Sequence, residues 1–118
     1  MNKLYLINGK DVTSYAAQYG WNFCLMNIAK YLVRAGKKEN EPIKKEILKA
    51  IDYLNIWSFH FNEIHDSFKN IPNASFWSNV DIDPLFQHIL CRLTLQGVTK
   101  DILKECIDKL EGYVCKLS

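Results

Sequence analysis

The sequence predicts a mainly α-helical protein: a small single-domain helical bundle built on an antiparallel helical hairpin, with a short N-terminal strand or hairpin. Its 118 residues are the length of one domain. Apolar side chains recur at helical spacing through most of the chain, and turn-forming residues separate these stretches where helices would begin and end. Because no repeat, low-complexity tract or linker interrupts the pattern, residues 1–118 are expected to form a single domain.

The N-terminal segment KLYLINGKDVT is expected to form a small strand or hairpin, or else an extended arm. Its apolar run precedes an Asn-Gly pair, which is typical of tight turns between strands. A brief helix is predicted next, with Thr13 or Ser14 as its N-terminal cap. This helix is expected to run through Tyr19 and to end at Gly20.

Two longer helices are predicted to form the central hairpin. The pattern from Asn22 to Ala35 is strongly helical, and Gly36 is well placed as a C-terminal cap. After the polar connection KKENEP, Pro42 suits the first turn of a second helix, which is expected to continue to about Phe68. The short connection predicts that the two helices pack antiparallel.

The C-terminal half is expected to contain a loop and two further helices. Asp83 suits the cap of a helix over Pro84–Leu95, which Gly97 closes. Thr99 suits the cap of a last helix that ends near Leu117. The segment before them, KNIPNASFWSNVDIDP, is predicted to be a loop because it contains the breakers Pro72, Asn73, Ser75 and Ser78.

Composition and charge exclude several classes of protein. The net charge of +2 is too small for bulk electrostatic binding of nucleic acid. No apolar run approaches the roughly 18 residues that span a bilayer, so no membrane association is expected. The N-terminus lacks the apolar core of a secretory signal, and we therefore expect a cytoplasmic location. The four cysteines form no CxxC pair, so no metal site is predicted.

A narrow polar stripe on the helix over Asn22–Ala35 is the main functional signal. At about 100° per residue, one face of this otherwise apolar helix carries Asn27, Lys30, Tyr31 and Arg34. The simplest interpretation is the solvent-exposed face of a core helix, although such faces usually mix charge signs and this one has no acidic residue. Because the stripe is expected to lie outside the core, Arg34→Ala is expected to change the stability of the fold little.

The second helix of the hairpin offers a complementary face. Glu46, Lys49 and Tyr53 follow i, i+3, i+7 spacing, and Trp57 continues the face. Against the stripe, this face would form a cleft with cationic donors, one carboxylate and aromatic rings. Such a cleft suits a nucleotide, because Arg and Lys bind phosphate and aromatic rings stack on bases. The alternative is a structural ion network in which Glu46 pairs with Lys49 or with Arg34.

The segments FCLMNIAKYLVRAGKK and EILKAIDYL resemble a family of small phage-encoded proteins, most of which have no assigned activity. One member is a noncanonical nucleotide kinase, which transfers phosphate to deoxynucleoside monophosphates without a P-loop. The resemblance covers residues 23–54, with Met26 in place of the usual glycine and Glu46 in place of the usual aspartate. The positions that match the family's motif are Asn27, Lys30, Tyr31, Arg34, Gly36, Lys37, Lys38, Lys49, Ala50 and Tyr53.

The resemblance and the two helix faces together predict a nucleotide-binding site. Lys30 and Arg34 are expected to contact phosphate oxygens. If the protein is a phosphotransferase, Glu46 and Lys49 are the candidate catalytic residues, and Mg²⁺ would accompany the nucleotide. The expected ligand-binding residues are Asn27, Lys30, Tyr31, Arg34, Lys37, Lys38 and Tyr53.

Two functions are open at the level of sequence. The first is a phage-type nucleotide-binding protein that acts as a noncanonical nucleoside monophosphate kinase. The second is a non-catalytic phage anti-defence protein, which sequesters a nucleotide signal or binds and blocks a host defence protein. Either would act in the host cytoplasm. The chain has no GxxxxGK[ST] motif, and residues 63–66 supply only half of the paired acidic motif of helical nucleotide pyrophosphohydrolases.

Self-association is expected from the helix that begins at Pro42, because its apolar side chains spread around more than half of its circumference. A small domain has too few other helices to cover such a surface, and exposed apolar patches usually mark interfaces. We therefore expect a homo-oligomer. The side chains concerned are Leu54, Ile56, Trp57, Phe59, Phe61, Ile64 and Phe68.

Overall fold

The computed structural model is a mainly α-helical bundle that is built on an antiparallel helical hairpin, which confirms the predicted fold class. It describes residues 6–7, 9–37, 42–64, 69–73, 75–95 and 97–117. Two short strands, β1 and β2, precede the helices of this described part of the chain. In order, the elements are β1 Leu6–Ile7, β2 Lys10–Asp11, α1 Val12–Tyr19, α2 Phe23–Arg34, α3 Ile43–Phe59, α4 Ser75–Ser78, α5 Pro84–Leu95 and α6 Lys100–Lys116.

The N-terminal hairpin forms, with two residues in each strand. β1 pairs antiparallel with β2, with Leu6 opposite Asp11 and Ile7 opposite Lys10. Gly9 supplies the turn with a φ of 86°, a left-handed conformation that costs a residue with a Cβ more than it costs glycine. The side chain of Ile7 is fully buried, so this hairpin closes one side of the core.

The cap of α1 differs from the prediction. Asp11, rather than Thr13 or Ser14, is the N-cap, and its carboxylate accepts a hydrogen bond of 2.7 Å from the backbone N–H of Ser14. A carboxylate is the better cap because it also carries the charge that the positive end of a helix favours. The predicted end is confirmed, since Gly20 stops the helix in the left-handed conformation with φ 70°.

The central hairpin is formed by α2 and α3. Asn22 caps α2 by accepting a hydrogen bond of 2.8 Å from the N–H of Leu25. Gly36 then reverses the chain with φ 79°, while the N–H of Lys37 closes the last turn on the carbonyl of Arg34. Pro42 is the N-cap of α3, one position before the predicted first turn, and it makes no side-chain capping bond.

α3 ends earlier in the chain than the sequence predicted. The helix stops at Phe59 rather than near Phe68, which lies outside the described residues. His60 is the C-cap, with φ −101° and ψ 26°, and its carbonyl accepts hydrogen bonds from the N–H groups of Glu63 and Ile64 in a separate turn. The ring of His60 also pairs with the carboxylate of Glu63 at 2.5 Å, which stabilises this turn locally.

The segment before α5 contains a helix that was not predicted. Residues Ser75–Ser78 form α4, where a loop was expected, because Trp77 anchors them in the core. The Trp77 indole N–H donates to the Thr94 hydroxyl at 2.8 Å, and that hydroxyl donates to the carbonyl of Leu90 at 2.6 Å. Trp77 also stacks on Trp21, with ring centroids 6.1 Å apart.

The two C-terminal helices follow the predicted bounds. Asp83 caps α5 through a bond of 2.8 Å from the N–H of Leu85. Thr99 caps α6 through a bond of 3.2 Å from the N–H of Ile102. Both caps satisfy backbone donors that the first helical turn leaves without partners.

The core lies where α2, α3, α5 and α6 meet. α2 and α3 pack most extensively on each other, and α6 covers a second side of α3. None of the described helices has both the length and the apolar character that crossing a lipid bilayer requires. Large side chains with at most 1% exposure fill the centre: Leu25, Ile28, Leu32, Ile47, Leu54, Trp57, Phe86, Ile89, Leu90, Leu93, Leu103 and Leu110.

We expect Thr94→Val to destabilise the fold by about 1–3 kcal/mol, because the buried indole N–H of Trp77 would lose its acceptor. Urea denaturation followed by tryptophan fluorescence measures this. Thr13→Val is the matched control, since Thr13 is exposed in α1 and should change the free energy of unfolding by less than about 0.5 kcal/mol. Equal effects of the two substitutions would show that the indole hydrogen bond does not hold α4 in place.

Candidate functional site

The end of α2 and the start of α3 are joined by a buried ion pair. The Arg34 guanidinium donates to one oxygen of Glu46, Oε2, through Nη2 at 2.7 Å and through Nε at 3.1 Å. Arg34 is 8% exposed and Glu46 is 1% exposed. The reversal at Gly36 turns the chain back, so that residues of opposite charge on the two helices meet.

This burial corrects one sequence-based expectation. The polar stripe was expected to lie outside the core, yet Asn27 and Arg34 are both buried. The helical periodicity gave the direction of the stripe correctly, but this direction points at α3 rather than at solvent. The alternative interpretation, an ion pair between Arg34 and Glu46, is the arrangement that forms. Arg34 is therefore a structural residue of the hairpin.

The second oxygen of Glu46 is left without a partner. Oε1 is buried and accepts no hydrogen bond among the described residues. Transfer of a carboxylate out of water is costly, and here the guanidinium of Arg34 offsets that cost at one oxygen only. Loss of Arg34 would remove both of its hydrogen bonds to the buried carboxylate.

Aromatic rings continue the contact along the hairpin. Tyr31 of α2 stacks on Tyr53 of α3, with ring centroids 6.0 Å apart and an angle of 21° between their planes. The ring of Phe23, two turns earlier in α2, packs edge-on against the ring of Tyr53, with ring centroids 5.9 Å apart. Phe23 is 55% exposed, so this row of rings runs from the hairpin interior to the surface.

Three cationic groups surround the ring of Tyr31. The Lys30 ammonium lies 4.8 Å from its centroid, the Lys49 ammonium 5.2 Å, and the Arg34 guanidinium carbon 5.3 Å. Each contact lies within the range in which a cation is attracted to the face of an aromatic ring. We call this group, together with the carboxylate that it encloses, the hairpin cluster: Lys30, Tyr31, Arg34, Glu46, Lys49 and Tyr53.

The hairpin cluster has more positive than negative charge. It holds three cations and one carboxylate, and Arg34 already neutralises that carboxylate. The pKa of Lys30 is lowered, first by burial of its ammonium group and then by repulsion from Arg34 and Lys49. Glu46 opposes this shift of the Lys30 pKa only in part. Lys30, Lys49 and Tyr53 remain half-buried, so their outer atoms face solvent.

The structure does not bring every predicted residue to this cluster. The side chain of Asn27 is buried and donates to the carbonyl of Phe23 at 2.8 Å, so it satisfies its own helix. Desolvation of its ammonium lowers the pKa of Lys37 and the charge of Asp81, near α4, opposes this shift, although most of the Lys37 side chain is exposed. Trp57 is fully buried in the core. Lys38 lies outside the described residues.

The sequence-based reasoning missed Phe23. Its signal was available, because Phe23 lies eight residues before Tyr31 and therefore near the same face of α2. A search of the described residues finds no group of three acidic, histidine or cysteine side chains placed to hold a metal ion. The cluster, with Phe23 added, thus offers ammonium donors beside aromatic rings.

Comparisons with known proteins cover this part of the chain. Residues 7–55 match a family described as proteins of unknown function, DUF3310. The SaV protein of Lactococcus phage p2 is 52% identical over 40 residues, which are 34% of this chain and 30% of that protein. The chain therefore spans less than a third of the length of this relative. No solved structure matches the chain.

These comparisons support one part of the resemblance. The chain is similar to a family without an assigned function over residues 7–55, which include α1, α2 and most of α3, and it is similar to a phage protein over 40 residues. Every residue of the hairpin cluster lies within the matched range 7–55. The C-terminal helices α5 and α6 lie outside that range.

We expect Arg34→Ala to destabilise the protein by about 3–5 kcal/mol, because it leaves the buried Glu46 carboxylate without its partner. Arg92→Ala is the matched control. Arg92 forms an ion pair of 2.8 Å with Glu105 on the exposed surface, and such pairs contribute about 1 kcal/mol or less. Urea denaturation of both variants gives the comparison.

A double substitution separates lost charge pairing from lost packing. Arg34→Met combined with Glu46→Leu removes both charges, and should recover most of the stability that Arg34→Ala loses. If Arg34→Ala and Arg92→Ala proved equally mild, the ion pair would not hold the hairpin together.

Proposed function

We propose that the protein binds a nucleotide on the outer side of the hairpin cluster, with Lys30 and Lys49 at the phosphate and Phe23 and Tyr53 at the base. The observation that carries this proposal is the excess of positive charge around Tyr31. Glu46 pairs with Arg34, and a phosphate group would add negative charge beside the ammonium groups of Lys30 and Lys49.

Lys30 and Lys49 suit phosphate because of their chemistry and their positions. An ammonium group is a compact charge with three donors, which can meet phosphate oxygens from several directions. The two ammonium groups lie 4.8 and 5.2 Å from the Tyr31 centroid, and the charge of Lys49 acts on Lys30. We expect a phosphate group to bind beside both. Binding would relieve the repulsion that lowers the pKa of Lys30, and this pKa should rise in the complex.

The aromatic rings suit a base. Phe23 is the most exposed ring of the row, and it packs on Tyr53, which in turn stacks on Tyr31. Seven residues of helix separate Phe23 from Lys30, a rise of about 10 Å. That distance fits a nucleotide whose base lies on the rings and whose phosphate lies at the ammonium groups.

Arg34 takes a different role from the one that the sequence suggested. Its guanidinium is engaged by Glu46 in the interior, so it supports Tyr31 and adds positive potential without being the principal phosphate contact. Asn27 likewise supports the backbone beside Phe23. Lys30 and Lys49 are the two cations of the cluster whose side chains reach solvent.

The burial of Glu46 favours binding over phosphate transfer. To accept a proton from a substrate hydroxyl, this carboxylate would have to separate from Arg34 and become exposed from a state of 1% exposure. The function that fits this geometry is a phage-type protein that binds and retains a nucleotide or nucleotide signal. Kinase activity with Mg²⁺-nucleotide, as the resemblance implies, is the second candidate, and inhibition of a host defence protein is a role that such retention could serve.

We expect Lys30→Gln and Lys49→Gln each to weaken nucleotide binding roughly tenfold to hundredfold, because each removes a charge-assisted hydrogen bond of about 1.5–3 kcal/mol. Tyr53→Ala should also weaken binding, through the loss of stacking worth about 1–3 kcal/mol. Titration calorimetry with deoxynucleoside mono- and triphosphates measures these effects.

Lys100→Gln is the control for charge, since Lys100 is exposed at the start of α6, outside the hairpin cluster, and should bind as the wild type does. Nucleosides, which have no phosphate group, should bind more weakly than the corresponding nucleoside monophosphates. The proposal is wrong if no nucleotide binds, or if the three cluster variants bind every nucleotide as tightly as the control.

A phosphotransfer assay decides between retention and chemistry. We expect a deoxynucleoside monophosphate, incubated with the protein, ATP and Mg²⁺, to remain unconverted because Glu46 is enclosed. Chromatography of the nucleotides detects any diphosphate formed. Turnover that exceeds a blank without protein, and that Lys49→Gln abolishes, would establish the kinase instead.

A further inference from the structure

α3 has an outward face that neither the core nor the hairpin cluster uses. Leu48, Asp52, Asn55 and Phe59 follow each other at intervals of four, three and four residues, which keeps them on one side of the helix. Phe59 is 83% exposed, and Leu48 is also exposed. We call these four residues the outer α3 face. Their exposure is unusual because two of them are large and apolar.

The predicted apolar circumference of α3 is reduced to this face. Leu54 and Trp57 are fully buried within the chain, and Phe61 and Ile64 pack partly against the core. Ile56 is exposed beside the outer α3 face. The part of α3 that the described residues leave uncovered is therefore a narrow strip, suited to one partner helix.

We infer that the outer α3 face is the interface of a homodimer, in which α3 packs antiparallel on α3 of a second copy around a twofold axis. In such a pair each contact occurs twice, and the contacting residues lie at equal distances on either side of the axis. With the axis between Tyr53 and Leu54, Leu48 meets Phe59 of the second copy. Asp52 then meets Asn55 of the second copy, as acceptor and donor.

Charge supports the same register. Lys44, in the first turn of α3, and Glu63, in the turn after its end, are the same number of residues from that axis, and the Glu63 carboxylate also contacts the ring of His60 in its own chain. Antiparallel packing therefore brings each Lys44 towards Glu63 of the second copy, and both side chains are exposed. A parallel arrangement would place like charges together instead. The surface is thus complementary to itself in one orientation.

A shallow groove completes the fit. It has a volume of about 460 Å³ and is lined by Asn55, Ile56, Ser58, Phe59 and His60. In the proposed register, the segment around Leu48 of the second copy lies over this groove. Filling it with an apolar side chain removes apolar surface from water on both copies, at about 25 cal/mol per Å². A second copy is the occupant because it supplies the leucine and the charges at matching positions.

The proposed dimer leaves the hairpin cluster accessible. Lys49 and Tyr53 point away from Leu48 by roughly 100° and 140° around α3. Nucleotide binding and dimerisation therefore involve different faces of one helix. Each can fail in experiment without the other.

The first test replaces the most exposed ring. Sedimentation velocity at about 100 μM should show the wild type as a dimer, since a complex with a Kd of about 1 μM is then almost fully formed. Phe59→Lys should weaken the dimer by roughly tenfold or more, because it places a charge against Leu48 of the second copy. Leu117→Lys is the matched control: Leu117 is also exposed at the end of a helix, on α6, and its substitution should leave the dimer intact.

The second test exchanges charges to establish the register. Lys44→Glu and Glu63→Lys should each weaken the dimer, whereas the double variant should restore it, because each charge then meets its opposite on the second copy. Circular dichroism confirms that the variants are folded. A wild type that is monomeric at this concentration overturns the proposal, and so does a dimer that Phe59→Lys leaves unchanged. A double variant weaker than both single variants overturns the register.

Discussion

The ion pair between Arg34 and Glu46 is the contact on which the arrangement of the hairpin depends. It lies in the interior, where neither charge can be satisfied by water, so α2 and α3 must meet in a register that brings the two side chains within hydrogen-bond distance. Tyr31 lies against the same guanidinium, and its ring sets the positions of Tyr53 and of the two ammonium groups. The buried ion pair and the half-buried residues of the hairpin cluster therefore depend on the same contacts.

An interior charge pair of this kind selects a register more than it adds stability. Apolar residues of the same size would stabilise the hairpin as well or better, but would tolerate sliding of one helix along the other. Because the pair holds Tyr31 opposite Tyr53, the rings and ammonium groups are placed before any ligand arrives. Such preorganisation reduces the entropy that binding would otherwise lose.

Local signals predicted the parts of the fold that depend on local contacts. The bounds of α5 and the caps Asp83 and Thr99 follow from side chains that bond within one turn, so the sequence alone is sufficient. α4 was missed because its stability comes from Trp77 and Thr94, which are far apart in the chain. The periodicity of α2 likewise gave the direction of Arg34, while its burial depends on what α3 places opposite. The candidate site was thus predictable in composition, but not in which cations reach solvent.

The stack of Trp21 on Trp77 has a spectroscopic consequence. Two indole rings at this separation couple their electronic transitions, and such coupling produces paired circular dichroism bands of opposite sign. Trp21 precedes α2, whereas Trp77 belongs to α4, so the paired bands arise only while the two halves of the chain are docked. The molecule therefore carries an intrinsic optical reporter of how its C-terminal half joins the hairpin.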